Sequence, residues 1–312
     1  MVVMKSQNEN KIVLLGEPLL ELTPISGQSY NMGVAGDVLN VAVVVSHLYG
    51  EAHLLAALGL DSGSDKILQF ARDHDVNTEA VVIDHAHKAG MYFINNDALG
   101  ERTFTYKRDN SAAKHFFGDS DQLLTALNKL EAVSHIYFSG ITLALMTEAS
   151  RTAFVAWLDN FRRSGGLVVF DNNYRPALWP SADAYLKACE WVLSRTDIFL
   201  PSLDDVMLSL GLVDKPAAMA WIVARDVPEV VVSDGVQPLT LMVNGTTELI
   251  DVIAANQVAD TTGAGDGFNG GYLAARLSGA SAQDAVKCGM QLAADVVGHK
   301  GAILPEEYWA KV

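Results

Sequence analysis

Cysteine is scarce in this sequence, which contains only Cys189 and Cys288 among its 312 residues. Neither belongs to a CxxC pair or has a histidine at the spacing of metal ligands, and both lie in helix-like segments. We therefore expect two buried thiols, no disulfide and no cysteine-based metal site. Such cysteine usage is compatible with the reducing environment of the cytoplasm, where we expect this chain to be.

Long hydrophobic runs are also missing, although 50% of the residues are hydrophobic. The longest runs, such as Val41 to Val45, are far shorter than the roughly 20 residues that cross a bilayer as a helix. The segment from Met1 to Lys11 is polar and lacks the apolar stretch of a secretion signal. We expect no association with membranes and a large buried core.

Positive charge is in the minority, with 22 Lys and Arg residues against 37 Asp and Glu and a formal net charge of −15. Nucleic acids and anionic lipid surfaces attract clustered Lys and Arg. The overall acidity therefore argues against both as partners. The acidity itself is no evidence for a particular function, because many proteins carry it for solubility.

Three catalytic signatures do not occur in the sequence: GxxxxGK[ST], HExxH and GxSxG. Their absence removes a Walker-type phosphate loop, a zinc site of the metalloprotease kind and the nucleophile elbow of serine hydrolases. The chemistry of this chain must be sought in other patterns.

Short β-branched runs alternate with longer amphipathic segments along most of the chain. This alternation predicts βαβ units, hence an α/β fold with a central, mostly parallel sheet flanked by helices. Asp37 is the predicted N-cap of the first helix. The main predicted elements are strands at 11–16, 135–139, 167–171, 197–200 and 230–232, and helices at 37–49, 148–163, 183–193 and 282–297.

Two segments, 19–30 and 90–107, interrupt this alternation because they read as neighbouring short strands without a helix between them. Asn95, Asn96, Asp97 and Gly100 indicate a hairpin turn within the second segment. We predict a small β-lid built from about 17–31 and 89–109. The alternative is an ordinary antiparallel edge of the main sheet.

A glycine-rich segment, 263–271 (GAGDGFNGG), precedes a helical run in the last third of the chain. Glycines at a helix start leave backbone N–H groups open to an anion, and the helix dipole favours negative charge there. Asp266 lies within this segment and would repel a resting phosphate. A carboxylate at this place can instead take the proton of an attacking hydroxyl while N–H groups hold phosphoryl oxygens. We expect the same N–H groups to keep Asp266 ionised near neutral pH.

Two other interpretations of this segment remain open. Gly265, Gly267 and Gly270 spell the GxGxxG pattern of dinucleotide sites, but that pattern requires a strand after the helix, and here a second helical pattern follows. The other interpretation is a glycine-rich turn whose role is only to pack a helix against the sheet.

The run from Asp260 to Phe268 (DTTGAGDGF) resembles the C-terminal signature of the ribokinase-like (PfkB) carbohydrate kinases. Gly36 to Asn40 (GDVLN) resembles the N-terminal signature, with Ala35 in place of its first glycine, and Ser202 to Asp205 (SLDD) stands where the family has NxxE. The likeness extends over residues 11–305. It implies a ribokinase-like fold, ATP as phosphoryl donor with Mg²⁺, and a monovalent cation as an optional further cofactor.

Within that family, the run from Asp171 to Trp179 is similar to the kinases of 2-keto-3-deoxygluconate. By resemblance, Asp266 would be the catalytic base, with Gly263, Ala264 and Gly265 as the anion hole. The acceptor would be bound by Gly36, Asp37, Asn40, Tyr92, Tyr106, Arg108 and Arg175. The nucleotide would lie along Ser202, Asp205, Ser233, Gly235, Gly263 and Gly265. No direct metal ligand is implied, and Asp205 would reach Mg²⁺ through water.

An electrostatic argument also favours an anionic acceptor. A chain of net charge −15 repels an anion at long range and must supply local cations to bind one. We expect Arg108 and Arg175 to converge on one substrate carboxylate, since guanidinium groups pair with carboxylates in a bidentate manner. In contrast, Asp234 precedes Gly235 at a position where relatives often carry Lys or Arg. The absence of a cation at this position would weaken nucleotide binding.

Two alternatives to a sugar-acid kinase remain. One is a kinase of a neutral sugar, such as a fructokinase or ribokinase, and the other is a sugar- or nucleotide-binding regulator without catalysis. The intact segment from Gly263 to Asp266 favours catalysis, because a binding module needs no base beside an anion hole. An exposed lid edge would allow two chains to pair, so we expect a homodimer.

Overall fold

The computed structural model describes residues 10–26, 29–96 and 102–309 of the chain. Their strands, in chain order, are β1 (Ile12–Leu15), β2 (Leu19–Ser26), β3 (Ser29–Ala35), β4 (Ala52–Leu55), β5 (Ala57–Gly59), β6 (Val82–Asp84), β7 (Gly90–Asn96), β8 (Arg102–Lys107), β9 (His135–Ser139), β10 (Leu167–Asp171), β11 (Ile198–Phe199), β12 (Glu229–Val232), β13 (Leu239–Val243) and β14 (Thr246–Ile250).

Helices alternate with most of these strands, and a short 3₁₀ turn, Pro176–Leu178, follows β10. The helices are α1 (Asp37–Leu48), α2 (Ser62–Asp73), α3 (Ala112–Gly118), α4 (Ser120–Leu127), α5 (Gly140–Leu145), α6 (Glu148–Arg163), α7 (Ala182–Leu193), α8 (Leu203–Leu210), α9 (Lys215–Val223), α10 (Ala264–Leu277), α11 (Ala282–Val297) and α12 (Glu306–Trp309).

The main sheet has eight strands in the order β14-β13-β12-β11-β10-β9-β1-β4. The pairs from β4 to β12 are parallel, and β13 and β14 add an antiparallel edge. Ile12 and Leu14 of β1 join one buried cluster with α1, α10 and α11, whereas Val13 and Leu15 join the cluster on the opposite face. A strand buried on both faces belongs to a sheet covered by helices on both sides, which confirms the predicted fold class.

A second sheet of four strands, in the order β3-β2-β7-β8, is built from the segments predicted to form a lid, and we call this sheet the lid. The antiparallel pairing of β7 with β8 runs from Met91 opposite Lys107 to Asn96 opposite Arg102. Residues 97–101, which include the expected turn residues Asp97 and Gly100, lie outside the described ranges. A parallel pairing of β2 with β7 joins the two predicted lid segments into one sheet.

The first turn of α1 differs from the sequence-based prediction. Gly36, not Asp37, is the N-cap, with φ at 134°, which is a backbone conformation that glycine tolerates and other residues avoid. Asp37 is the first helical residue, and its carboxylate is therefore available to other partners. The helical run that the sequence predicted after the glycine-rich segment, from Tyr272 to Leu277, was also too short, because α10 begins at Ala264.

Cys189 and Cys288 are both free and buried, as expected. Within the described ranges, no single helix has the length and apolar character needed to span a membrane. Only the pair Leu203–Leu210 and Lys215–Val223 passes that test jointly, and its two helices meet at 96°.

Candidate active site

Polar side chains collect where the parallel strands end. Ser139 is the last residue of β9, Asp171 is the last residue of β10, and Ser202 and Ser233 follow β11 and β12. Since parallel strands present their carboxyl ends at one edge, this edge is where an open α/β sheet binds ligands. The N-terminus of α1 reaches the same edge, because Ser139 Oγ donates a hydrogen bond to Asp37 at 2.6 Å. The first half of α10 reaches it as well, because Asn269 Nδ2 donates to Asp171 at 3.0 Å.

Asp266 lies in the first turn of α10, after Gly263 as N-cap, Ala264 and Gly265. The first N–H groups of a helix have no intrahelical acceptor. Ala264 N–H donates to Thr261 O at 3.3 Å, whereas the N–H groups of Gly265 and Asp266 have no acceptor among the described residues. A Cβ added to Gly265 would have no heavy atom within 4 Å. The helix start therefore offers two N–H donors and open space, which suits an anion such as a phosphoryl group.

The Asp266 carboxylate is partly buried and accepts a hydrogen bond from Asn40 Nδ2 at 2.8 Å. Burial, followed by the negative charge of Asp37, raises the pKa of Asp266 well above its usual range. The expectation that nearby N–H groups hold this carboxylate ionised is therefore wrong in direction. A raised pKa makes Asp266 a stronger base, and general bases work best when their pKa lies near the operating pH.

Two further carboxylates surround Asp266 at the sheet edge. Asp37 Oδ2 accepts a hydrogen bond from Asn173 Nδ2 at 2.9 Å. Asp171 accepts from Asn269 Nδ2 at 3.0 Å and from the hydroxyl of Tyr137 at 3.3 Å. Burial, then the charge of Asp37, raises the pKa of Asp171 to about 7. The site is thus a cluster of coupled acids, held in place mainly by neutral donors.

The loop before α10 is fixed by packing and by hydrogen bonds. Gly263 has φ at 76°, and a Cβ there would lie 2.5 Å from the Cβ of Ala302, so this position requires glycine. Asp260 Oδ1 accepts from the Thr262 N–H at 3.0 Å, and its Oδ2 accepts from the Gly301 N–H at 3.2 Å. Gly263 therefore shapes the turn before α10, whereas Gly265 leaves it open.

Farther along α10, a buried carboxylate fastens the helix to the main sheet. Glu229 of β12 is 7% exposed and accepts a short hydrogen bond from the Tyr272 hydroxyl. Arg276 pairs with both carboxylate oxygens of Glu229 at 2.9 Å and donates to Ala280 O at 2.7 Å. Such bidentate pairing adds geometric precision to its energy. We call Glu229, Tyr272 and Arg276 the helix clamp.

The lid brings two predicted acceptor ligands, Tyr92 and Tyr106, opposite each other on β7 and β8. Their ring centroids are 5.5 Å apart, and the Tyr92 hydroxyl donates to the Glu21 carboxylate. Burial, then Glu21, raises the pKa of Tyr92, and the charge of Asp266 acts in the same direction.

We expected Arg108 and Arg175 to converge on one substrate carboxylate, and in the structure they pair with two different carboxylates of the chain. Arg108, 5% exposed, forms a buried ion pair with Glu17, and its guanidinium carbon lies 5.8 Å from the ring centroid of Tyr106. Arg175 instead pairs with Asp205 at 3.2 Å. Each arginine therefore already has a counter-ion from the chain. Such a partner offsets the desolvation cost of a cation that leaves water. Their binding of an acceptor stays a prediction.

The predicted nucleotide residues lie beyond Asp171 along the sheet edge. Ser202 and Ser233 form a bridge after β11 and β12, and Gly235 follows with φ at 58° and open space around it. Lys215 at the start of α9 pairs with Asp234 at 2.7 Å. A cation is therefore present near this edge although residue 234 itself is acidic.

The carboxylate of Asp205 already has two partners within the chain. Its Oδ2 accepts from the Tyr174 N–H at 3.1 Å and lies 3.2 Å from Arg175 Nη1. In the described ranges, no group of three or more His, Cys, Asp and Glu side chains is arranged to hold a metal ion. A role of Asp205 towards Mg²⁺ through water stays a prediction.

Several residues of the site were not assigned a role from the sequence. They are Glu17, Glu21, Tyr137, Ser139, Asp171, Asn173 and Asn269. Asp171 and Asn173 lie in the quoted run before Arg175, and their position after a buried strand is a signal that could have identified them. Tyr137 and Asn269 carry no such signal, since they resemble ordinary core positions of a strand and a helix.

Comparison with known proteins agrees with this geometry. The family model of the pfkB family carbohydrate kinases matches residues 10–309. A 2-dehydro-3-deoxygluconokinase from Dickeya dadantii is 37% identical over 95% of this chain and 97% of its own. A fructokinase from Salmonella typhimurium is more distant, at 27% identity over 85% of this chain and 83% of its own. A crystal structure of a Vibrio cholerae fructokinase variant with fructose, ADP and potassium ion has a TM-score of 0.83 at 24% identity, covering 97% and 98% of the two chains.

The fold and the site therefore define a kinase of small carbohydrates. Specifically, this chain belongs to the pfkB family of carbohydrate kinases.

Proposed function

We propose that this protein transfers the γ-phosphoryl group of ATP to a hydroxyl of a sugar acid. The acceptor is 2-keto-3-deoxygluconate, and the product is 2-keto-3-deoxy-6-phosphogluconate. The observation that carries the catalytic part is Asp266, a carboxylate of raised pKa beside the open N–H groups of Gly265 and Asp266 itself. The identity of the acceptor is supported by the relatives at 37% identity, which are named for that substrate.

In this reaction the acceptor oxygen forms a bond to the γ-phosphorus as the bond to the leaving oxygen of ADP breaks. Asp266 takes the proton of the attacking hydroxyl, and Asn40 Nδ2 orients the carboxylate from 2.8 Å. The open N–H groups at the start of α10 stabilise the negative charge on the transferred group. Phosphoryl transfer depends mainly on such positioning and charge stabilisation.

ATP would lie along Ser202, Ser233 and Gly235, with its γ-phosphate at the turn from Gly263 to Gly265. Mg²⁺ supplies charge neutralisation to the phosphates and keeps most of its waters when bound in this way. Asp205 would contact those waters from the edge of the site. A monovalent cation remains an optional cofactor, supported by the potassium ion in the Vibrio cholerae fructokinase structure.

The acceptor would lie between α1 and the lid, near Gly36, Asp37, Asn40, Tyr92, Tyr106, Arg108 and Arg175.

The lid also exposes large apolar side chains, with Ile25 at 67%, Tyr30 at 42% and Met32 at 45% exposure. Exposed apolar groups on a sheet with two open edges favour pairing with a second copy. We therefore retain a homodimer and a cytoplasmic location as parts of the proposal, with neither nucleic acid nor membrane as partner.

The alternative acceptor is a neutral sugar, which the fructokinases among the relatives favour. ADP release measured on 2-keto-3-deoxygluconate, gluconate, fructose and ribose decides between them. We expect the highest kcat/KM with 2-keto-3-deoxygluconate. If fructose or ribose is turned over far better, the substrate is wrong and the kinase assignment stands. ATP-dependent turnover of none of the four would contradict the proposed reaction.

A further inference from the structure

The lid is joined to the main domain by four chain crossings, and all four meet around Glu17. The first crossing is Glu17 itself, between β1 and β2, and the second is Gly36, between β3 and α1. The third is Gly90 at the start of β7, and the fourth runs from Arg108 after β8 to Ser111 before α3. This convergence makes the surroundings of Glu17 the base of the lid.

The contacts at this base are close. A Cβ on Gly36 would lie 2.8 Å from Glu17 O, and a Cβ on Gly90 would lie 2.6 Å from Glu17 Oε1 and 3.1 Å from Arg108 Cβ. Distances below 3.0 Å leave no room for a side chain, so these two crossings pass directly against Glu17. Ser111, which caps α3, donates a short hydrogen bond to Glu17 Oε1.

Glu17 is 2% exposed, and its other oxygen contacts Arg108 Nη2. A carboxylate buried this deeply loses its hydration, which is costly unless a cation and hydrogen bonds replace the water. The pairing nevertheless leaves part of the guanidinium free, because the buried Arg108 Nε has no hydrogen-bond partner among the described residues. That N–H group can serve a further anion.

We propose that Glu17 is the positioning residue of the acceptor site, holding the four crossings together and aiming the Arg108 guanidinium at the base of the lid. We call Glu17, Arg108 and Ser111 the lid clamp. Glu17 does not touch the reacting atoms in this role. It acts through Arg108 and through the lid strands, so its loss affects acceptor binding and lid order more than nucleotide binding.

The test compares Glu17→Gln with Glu229→Gln, which removes the same charge from the helix clamp. We expect Glu17→Gln to raise the acceptor KM by about tenfold or more, while the KM for ATP changes by less than about twofold. Amide hydrogen exchange in β2 and β7 should become faster in Glu17→Gln than in Glu229→Gln. If Glu17→Gln does not fold, Glu17→Asp replaces it, since the shorter carboxylate cannot contact Ser111 and Arg108 together.

An equal rise of both KM values, or lid exchange no faster than in Glu229→Gln, would overturn the proposal. The kinetic measurement uses the acceptor of the panel that the parent enzyme turns over fastest. It rests on the proposed function only because it requires turnover. The exchange arm needs no substrate. A wrong acceptor assignment therefore cannot be mistaken for failure of the lid clamp.

Discussion

The helix clamp and the lid clamp use the same components in opposite ways. Each has a buried glutamate, a hydroxyl on one of its oxygens and an arginine. In the helix clamp, Arg276 bonds to both oxygens of Glu229 at 2.9 Å. In the lid clamp, Arg108 contacts Glu17 Oε2 through Nη2, and its buried Nε has no hydrogen-bond partner among the described residues.

This difference in ion pairing corresponds to the part of the molecule that each clamp holds in place. The helix clamp fastens α10, whose first turn holds Asp266, the proposed base, and misplacement of a base is costly. The lid clamp would hold the strands that we propose to cover the acceptor and to admit and release it. A bidentate ion pair is therefore found beside the proposed catalytic helix, and an ion pair with a spare guanidinium N–H is found beside the proposed acceptor site.

The largest expected effect tests whether α10 carries catalysis. Asp266→Asn keeps the shape of the side chain but removes the base, so kcat should fall by about 100- to 10,000-fold. Asp284→Asn is the matched control, because Asp284 is likewise the third residue of a helix, α11. Steady-state kinetics of both variants are the measurement. Turnover of Asp266→Asn within a few-fold of the control would show that Asp266 is not the base.

The second effect separates the two arginines. Arg108→Ala should weaken binding of a sugar acid by about 2–5 kcal/mol, the cost of leaving a partner charge unpaired on a buried surface. Arg276→Ala should leave acceptor affinity nearly unchanged but lower the free energy of unfolding by about 3 kcal/mol, at the low end for buried pairs, because Arg276 is 30% exposed. Acceptor titrations and urea unfolding measure the two quantities. Similar losses of acceptor affinity in both variants would remove the distinction between the clamps.

The sequence predicted the parts of the fold and site that depend on local pattern. The strand His135–Ser139 and the helices Glu148–Arg163 and Ala282–Val297 were predicted with the bounds that the structure shows. The glycine-rich start of α10 was found because its residue types are unusual for a helix.

What the sequence did not reveal depends on partners that are distant along the chain. The Glu17–Arg108 pair joins residues far apart in sequence, and a lone arginine after a strand gives no sign of a buried counter-ion. The raised pKa of Asp266 was missed for the same reason, since the burial of this carboxylate and the approach of Asp37 both arise from packing, including that of α1 beside α10. Pattern indicates which residues are unusual, whereas packing decides which charges meet.

The smallest effect concerns Asp171, a buried carboxylate to which Asn269 and Tyr137 donate hydrogen bonds but which has no ion-pair partner among the described residues. Burial, followed by the charge of Asp37, raises its pKa to about 7, so the folded state holds a proton that the unfolded state releases at lower pH. Its contribution to stability is therefore complete below about pH 4 and is lost as the pH rises through 7. Asp171→Asn should remove this dependence. The free energy of unfolding of the variant minus that of the parent should rise by about 2–3 kcal/mol between pH 5 and pH 8. Any constant cost of altered hydrogen bonds cancels in that change.

Asp284→Asn serves as control, because its hydrogen bond with Lys287 lowers the pKa of Asp284, so this group is ionised across the whole range and the same difference should stay flat. Urea unfolding at both pH values is the measurement. A flat difference for Asp171→Asn would mean that donors without a cation are enough to keep Asp171 ionised, and the contrast between paired and unpaired carboxylates would then fail.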